Sequence, residues 1–186
     1  NEDRLEENYK NYSSLPELLD KIKNNLDNEI LKKIYVNNVE VNERYLSESL
    51  LNKDNIDEIK FTTQKTKILI KNSLENAEEY LPKLKEGILD TAELFRNGKE
   101  EKANAKYQQI IDGIEWYTNV ITKILSIISD DKLYNKSQKL IKRLNKTLTE
   151  LMVAYDKDDI VLVADILEYE IADFINEFLQ INNKLK

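Results

Sequence analysis

Leu84-Lys85-Glu86-Gly87-Ile88, Arg96-Asn97-Gly98-Lys99 and Ile111-Asp112-Gly113-Ile114 decide the fold of this chain. The middle segment is a stop, because glycine takes the left-handed conformation that closes the last turn of a helix. Before it, Ile70, Leu74, Ala77, Leu81, Leu84, Ile88, Thr91 and Phe95 recur at alternating steps of four and three. After it, Ala103, Tyr107, Ile110, Ile114, Tyr117, Ile121, Ile124 and Ile128 follow a similar rhythm. Such spacing keeps one stripe of each helix facing a partner, so the region reads as an antiparallel helical hairpin. Gly87 and Gly113 lie inside these helices, where a glycine costs about 1 kcal/mol relative to alanine. Close backbone approach would account for both, and equal arms about the turn place them side by side. Pro82 predicts a kink or break near Tyr80.

A break at Ser129-Asp130-Asp131 precedes a third helix marked by Leu133, Leu140, Leu144, Leu148, Leu151 and Tyr155. Asp156-Lys157-Asp158-Asp159 then turns the chain into a fourth. There Ile160, Val163, Leu167, Ile171, Phe174, Phe178 and Ile181 form one apolar stripe, and Leu162, Ile166 and Ile175 add a second. A helix that is apolar on two sides is a central one. Two hairpins of similar length predict a four-helix bundle over residues 63–186. Laying Asp112–Trp116 over Glu170–Phe174 suggests an internal duplication.

Residues 1–62 have a different texture. Ser13-Ser14-Leu15-Pro16-Glu17 reads as a helix start, with serine at the cap and proline in the first turn. Ile34, Val36, Val39 and Val41 flank Asn37-Asn38, a pair suited to the positive φ angles of a tight hairpin. Ile59-Lys60-Phe61-Thr62 supplies a third strand. The expectation is a small α+β unit of helix, β-hairpin and strand over 1–62. Asn1-Glu2-Asp3-Arg4-Leu5 is similar to Asn42-Glu43-Arg44-Tyr45-Leu46, and the one methionine is Met152. Both suggest a truncated N-terminus, with a further hairpin upstream of Asn1.

The chemistry is bounded by what the residues lack. There is no cysteine, hence no disulfide or thiolate, and no histidine, the commonest general acid–base and zinc ligand. No glycine-rich phosphate loop is present. Lys and Arg number 28 against 35 Asp and Glu, a formal net charge of −7 that argues against nucleic acid as a partner. Lys136, Lys139, Arg143 and Lys146 form a local basic stripe, either a solvated helix face or a docking site for an acidic partner. No apolar run approaches the roughly 20 residues that span a bilayer, so no membrane partner is expected.

The candidate interaction or ligand cluster is Asp165, Glu168, Tyr169 and Glu170 on the fourth helix. Asp165 and Glu168 share a face and could hold a hard cation or act as an acid–base pair; otherwise they are surface acids. Trp116 falls one position off its stripe, at the core margin or on a binding surface.

Asn76-Ala77-Glu78-Glu79-Tyr80-Leu81-Pro82-Lys83-Leu84, Asp112–Trp116 and Val163–Glu170 together resemble an uncharacterised helical-repeat family of low-GC Gram-positive bacteria. The resemblance spans most of residues 30–180. It implies a hairpin-containing N-terminal part, a four-helix region and a bacterial cytoplasmic setting, with no catalytic residue to carry over. The expectation is a non-enzymatic cytoplasmic interaction domain, an adaptor or chaperone-like binder whose partner is another protein or a second copy, with no cofactor. The alternative is a small-ligand or metal-ion binder, or an enzyme, using the last helix's carboxylates and tyrosines.

Overall fold

The computed structural model describes residues 4–5, 12–47, 56–128 and 130–186. The chain divides into two units, Asn1–Ile70 and Lys71–Lys186. The first contains β1 (Arg4–Leu5), α1 (Leu15–Asn24), β2 (Glu29–Val36), β3 (Val39–Val41), α2 (Glu43–Ser47) and β4 (Ile59–Lys65). Its antiparallel sheet has the order β1-β4-β2-β3.

Local chemistry sets these elements. Ser14 caps α1, its Oγ accepting from Glu17 N–H at 3.2 Å, and Pro16 occupies the first turn. Asn37 and Asn38 take φ of 48° and 65° and pair Val36 directly with Val39, the geometry of a two-residue hairpin. Along β4, Ile59, Phe61 and Thr63 are buried while their neighbours are partly open, the period of two expected of a strand covered on one face. Leu15, Leu18, Leu19 and Ile22 of α1 share a core with Ile34, Val36, Leu46 and Phe61.

Two expectations change here. β4 extends to Lys65, past residue 62. A short strand, β1, pairs with β4 where the sequence reading placed none. Of the similar segments at 1–5 and 42–46, Arg4–Leu5 is strand whereas Glu43–Ser47 is helix. Residues 1–3, and the further hairpin expected upstream of Asn1, lie outside the described residues.

The second unit is a bundle of four helical rods. α3 (Thr66–Arg96) leads into it, followed by α4 (Glu100–Ile128) and α5 (Asp131–Asp156). The last rod is α6 (Ile160–Asp165), a π turn (Ile166–Ile171) and α7 (Ala172–Leu185). α3 runs unbroken through Pro82, so the break expected near Tyr80 does not occur. Pro82 is exposed, so water can satisfy a carbonyl that loses its helical donor. Of the break at 129–131, Ser129 lies outside the described residues; Asp130 caps α5, accepting from Leu133 N–H at 2.8 Å.

Both hairpins turn in the same way. Gly98 (φ 66°) and Asp158 (φ 58°) take the left-handed conformation. The next residue then bonds five back, Lys99 N–H to Leu94 O at 2.9 Å and Asp159 N–H to Ala154 O at 3.0 Å.

The π turn explains the last rod. Ile166-Leu167 and Ile171-Ala172 are buried pairs five residues apart, with Glu168-Tyr169-Glu170 between them. In an α-helix such pairs would sit roughly 140° apart, at 3.6 residues per turn. An i→i+5 turn stacks them, and Ala172 N–H indeed bonds to Leu167 O. The core thus keeps both pairs. Val163, Leu167, Ile171, Phe178 and Ile181 are all fully buried, as expected of a central helix, whereas Leu162 is open. The rod bonds to both α3 and α4: Asn182 Nδ2 donates to Leu74 O at 2.9 Å, and Tyr117 Oη donates to Phe178 O at 3.1 Å.

The glycines do not behave as a pair. Tyr80 with Trp116, and Asp90 with Lys106, are in contact and equidistant in sequence from Gly98. That register sets Gly113 against Tyr80 and Leu84, not against Gly87. A Cβ at Gly113 would fall on the Tyr80 hydroxyl and 3.0 Å from Leu84 Cδ1, while one at Gly87 meets nothing within 4 Å. Nor do the backbones converge: α3 and α4 approach less closely than α5 and the last rod. Aromatic pairs, Tyr80–Trp116 (5.2 Å) and Phe95–Tyr107 (6.5 Å), bridge the two helices. Gly113 makes room for a phenol.

Two outcomes follow. In urea unfolding, Gly113→Leu should cost about 1–3 kcal/mol by overpacking, and Gly87→Ala should gain about 0.5–1 kcal/mol. The reverse order would contradict the assignment. Burial raises the phenol pKa of Tyr117 and, with help from Tyr155 and Asp156, of Tyr107. The folded state then holds protons that the unfolded state releases above about pH 10, so stability is intact below that pH and falls above it. Tyrosinate absorbance should therefore show these two phenols ionising late, with unfolding; ionisation of every tyrosine near pH 10 in the folded protein would contradict this.

Candidate functional site

The π turn points three consecutive polar side chains outward, and they diverge. Glu168 turns towards α3, where Arg96 bonds both to it and to Asp165, the latter at 2.7 Å. Tyr169 is 63% exposed, with the Arg96 guanidinium 5.8 Å from its ring centroid. Glu170 turns towards α5 and accepts from Thr147 Oγ1 at 3.2 Å. The cluster expected from sequence is thus two sites. Asp165 and Glu168 gather around Arg96, while Tyr169, beside Arg96, also lines a small hollow of about 160 Å³ with Glu170 and Arg143.

This arrangement decides what the acids can do. Arg96 lies between Asp165 and Glu168, and its own pKa is pushed up by hydrogen bonds to Asp165 and then to Glu168. A guanidinium that never deprotonates occupies the place a hard cation would take. Among the described residues no group of three or more acids is placed to hold a metal ion.

The basic stripe is partly neutralised on its own surface. Arg143 pairs with Glu177 at 3.2 Å and stacks 5.2 Å from the Phe174 centroid, and Lys146 pairs with Glu150 at 3.0 Å. Lys136 and Lys139 are exposed. Trp116 is 40% exposed, packed edge-on against Tyr80, and the two rings with Asn76 line a shallow hollow of about 370 Å³. It is at once core margin and surface.

The feature missed from sequence lies between α5 and α6. A groove of about 400 Å³ is lined by Glu150, Val153, Ala154, Leu162, Ile166 and Glu170, among others. Met152 and Val161, the sequence neighbours of the lining residues Val153 and Leu162, are 60% and 69% exposed. Part of the signal was present: Met152-Val153 and Val161 flank the turn at 156–159 yet fall off the core stripes of their helices, whereas Leu162 falls on the second stripe and is exposed.

The chain belongs to the family described as Domain of unknown function (DUF8042), which matches residues 72–181. That span takes in Arg96, the π turn, the α5–α6 groove and Trp116. No curated protein and no solved structure matches the chain. No helix among the described residues is long and apolar enough to cross a membrane.

Because Arg96 already bridges Asp165 and Glu168, millimolar Ca²⁺ or Mg²⁺ should leave the melting temperature unchanged. A rise of several degrees would show the acids open to a cation.

Proposed function

We propose that this chain is a non-enzymatic protein-interaction domain, an adaptor or chaperone-like binder, working in the cytoplasm of a low-GC Gram-positive bacterium. One observation carries the reading: Met152, Val153, Val161 and Leu162, in the helices flanking the 156–159 turn, are all exposed, and Val153 and Leu162 line one groove. A large exposed apolar patch rimmed by polar residues marks an interaction site. The lack of histidine and cysteine agrees with it, since the usual nucleophile–base pairs cannot be built from this chain. The bacterial, cytoplasmic and repeat-family parts rest on the sequence resemblance alone. The ligand-binding or enzymatic alternative, through Asp165, Glu168, Tyr169 and Glu170, is less well supported because Arg96 engages the first two and Glu170 faces elsewhere.

Affinity capture from native cytoplasm, comparing wild type with Met152→Glu/Val161→Glu, tests this. A protein retained by the wild type and lost by the variant is the expected result. No reproducible partner at physiological salt, or equal capture by both, would contradict it.

A further inference from the structure

The groove between α5 and α6 has a shape and a charge that narrow its occupant. Resting on the interaction reading, we infer that it takes an amphipathic helix rich in lysine and arginine, supplied by another protein.

The shape comes first. Val153 and Ala154 on α5 face Leu162 and Ile166 on the last rod, and Glu150 and Glu170 mark the end away from the turn. Ala154 and Ile166 are buried and form the floor, while Val153 and Leu162 are half-open walls. From Asp159 to Glu170 the rod advances about 16 Å at 1.5 Å per residue, three turns of a docked helix with anchors near i, i+4 and i+7. Both walls are helices whose backbone groups bond internally. An added β-strand would find no edge to pair with, so affinity must come from side chains.

Charge then selects the chemistry. Glu150, Asp159 and Glu170 line the groove together with one lysine, Lys157, and Asp156 and Asp158 are exposed in the adjoining turn. Glu150 is partly offset by Lys146, and Asp159 accepts from Leu162 N–H at 3.1 Å. Such a rim repels anionic lipid headgroups and acidic helices and attracts a basic one.

The basic faces that α5 and α1 of a second copy would offer do not fit. That of α5 lies on a helix whose apolar residues Leu133, Leu140, Leu144 and Leu151 are already buried. Lys21 and Lys23 are carried by α1, whose Leu15, Leu18, Leu19 and Ile22 are likewise in the core. Neither helix can present bases and apolar anchors together without unfolding its unit.

The test is a display library of amphipathic helical peptides with randomised charged and apolar positions, selected on the full chain and counter-selected on Leu162→Glu. Leu162 is half-open, so that variant should keep its fold, which circular dichroism checks; Val153→Glu is the second variant. The expected result is enrichment of net-positive helices. Their binding, read by fluorescence anisotropy, should weaken about tenfold or more when their bases are changed to glutamate, and should fall as salt rises. Enriched helices that are acidic or uncharged, no enrichment over Leu162→Glu, or binding indifferent to both wall variants would overturn the inference. Those failures leave the interaction reading standing if cytoplasmic capture still depends on Met152 and Val161; loss of that dependence defeats the reading itself.

Discussion

Burial of the last helical rod is the constraint on which the second unit depends. From Val163 to Ile181 its apolar side chains cover too much of its circumference to be hidden against one neighbour. A helix of this kind must be surrounded. The other three helices meet that demand with specific polar contacts to its backbone and ends: Leu74 with Asn182 from α3, Tyr117 with Phe178 from α4, and Arg143 with Glu177 from α5. The π turn belongs to the same constraint. It spends a regular hydrogen-bond register to keep two buried pairs on one side, and it expels Glu168, Tyr169 and Glu170 as a consequence.

Surface chemistry follows from that expulsion. Glu168 is carried to Arg96 at the C-terminal end of α3, where the guanidinium also takes Asp165. Such exposed pairs contribute little stability each, but they use up the acids that would otherwise make a cation site. At the same end of the bundle, the short turn after Tyr155 needs a left-handed residue, and Asp158 supplies it in a run of aspartates. The apolar residues on either side, Val153 and Leu162, then stand open next to concentrated negative charge. The exposed apolar surface is a by-product of how the hairpin closes.

Much of this was legible in the sequence, because it depends on local chemistry. Asn37-Asn38 specified its hairpin to the residue, Ser14 its cap and Gly98 its turn. The alternation of four and three placed the stripes of α3 and α4, since 3.6-residue periodicity is a property of the helix alone. What was not legible depends on neighbours. Gly87 and Gly113 look alike in sequence, yet only Gly113 meets a side chain, because the hairpin is centred on Gly98 and the arms shift accordingly. Arg96 is far in sequence from Asp165 and Glu168, and nothing local links them. Pro82 signals a kink or a break, and the break does not occur because an exposed proline need not end a helix held by tertiary packing. The π turn was written in the five-residue spacing of Leu167 and Ala172, concealed because Leu167 and Ile171 also satisfy an α-helical step of four.

Native-state hydrogen exchange resolved by residue tests the central claim most directly. If the last rod is the element the bundle closes around, the amides of Val163, Ala164, Leu167, Phe178 and Ile181 should be among the slowest in the monomer and exchange only with global unfolding. If those amides exchange faster than the buried stripe of α3 or α4, and slow only when a partner or a second copy is added, the rod is an interface rather than a core and the account is wrong.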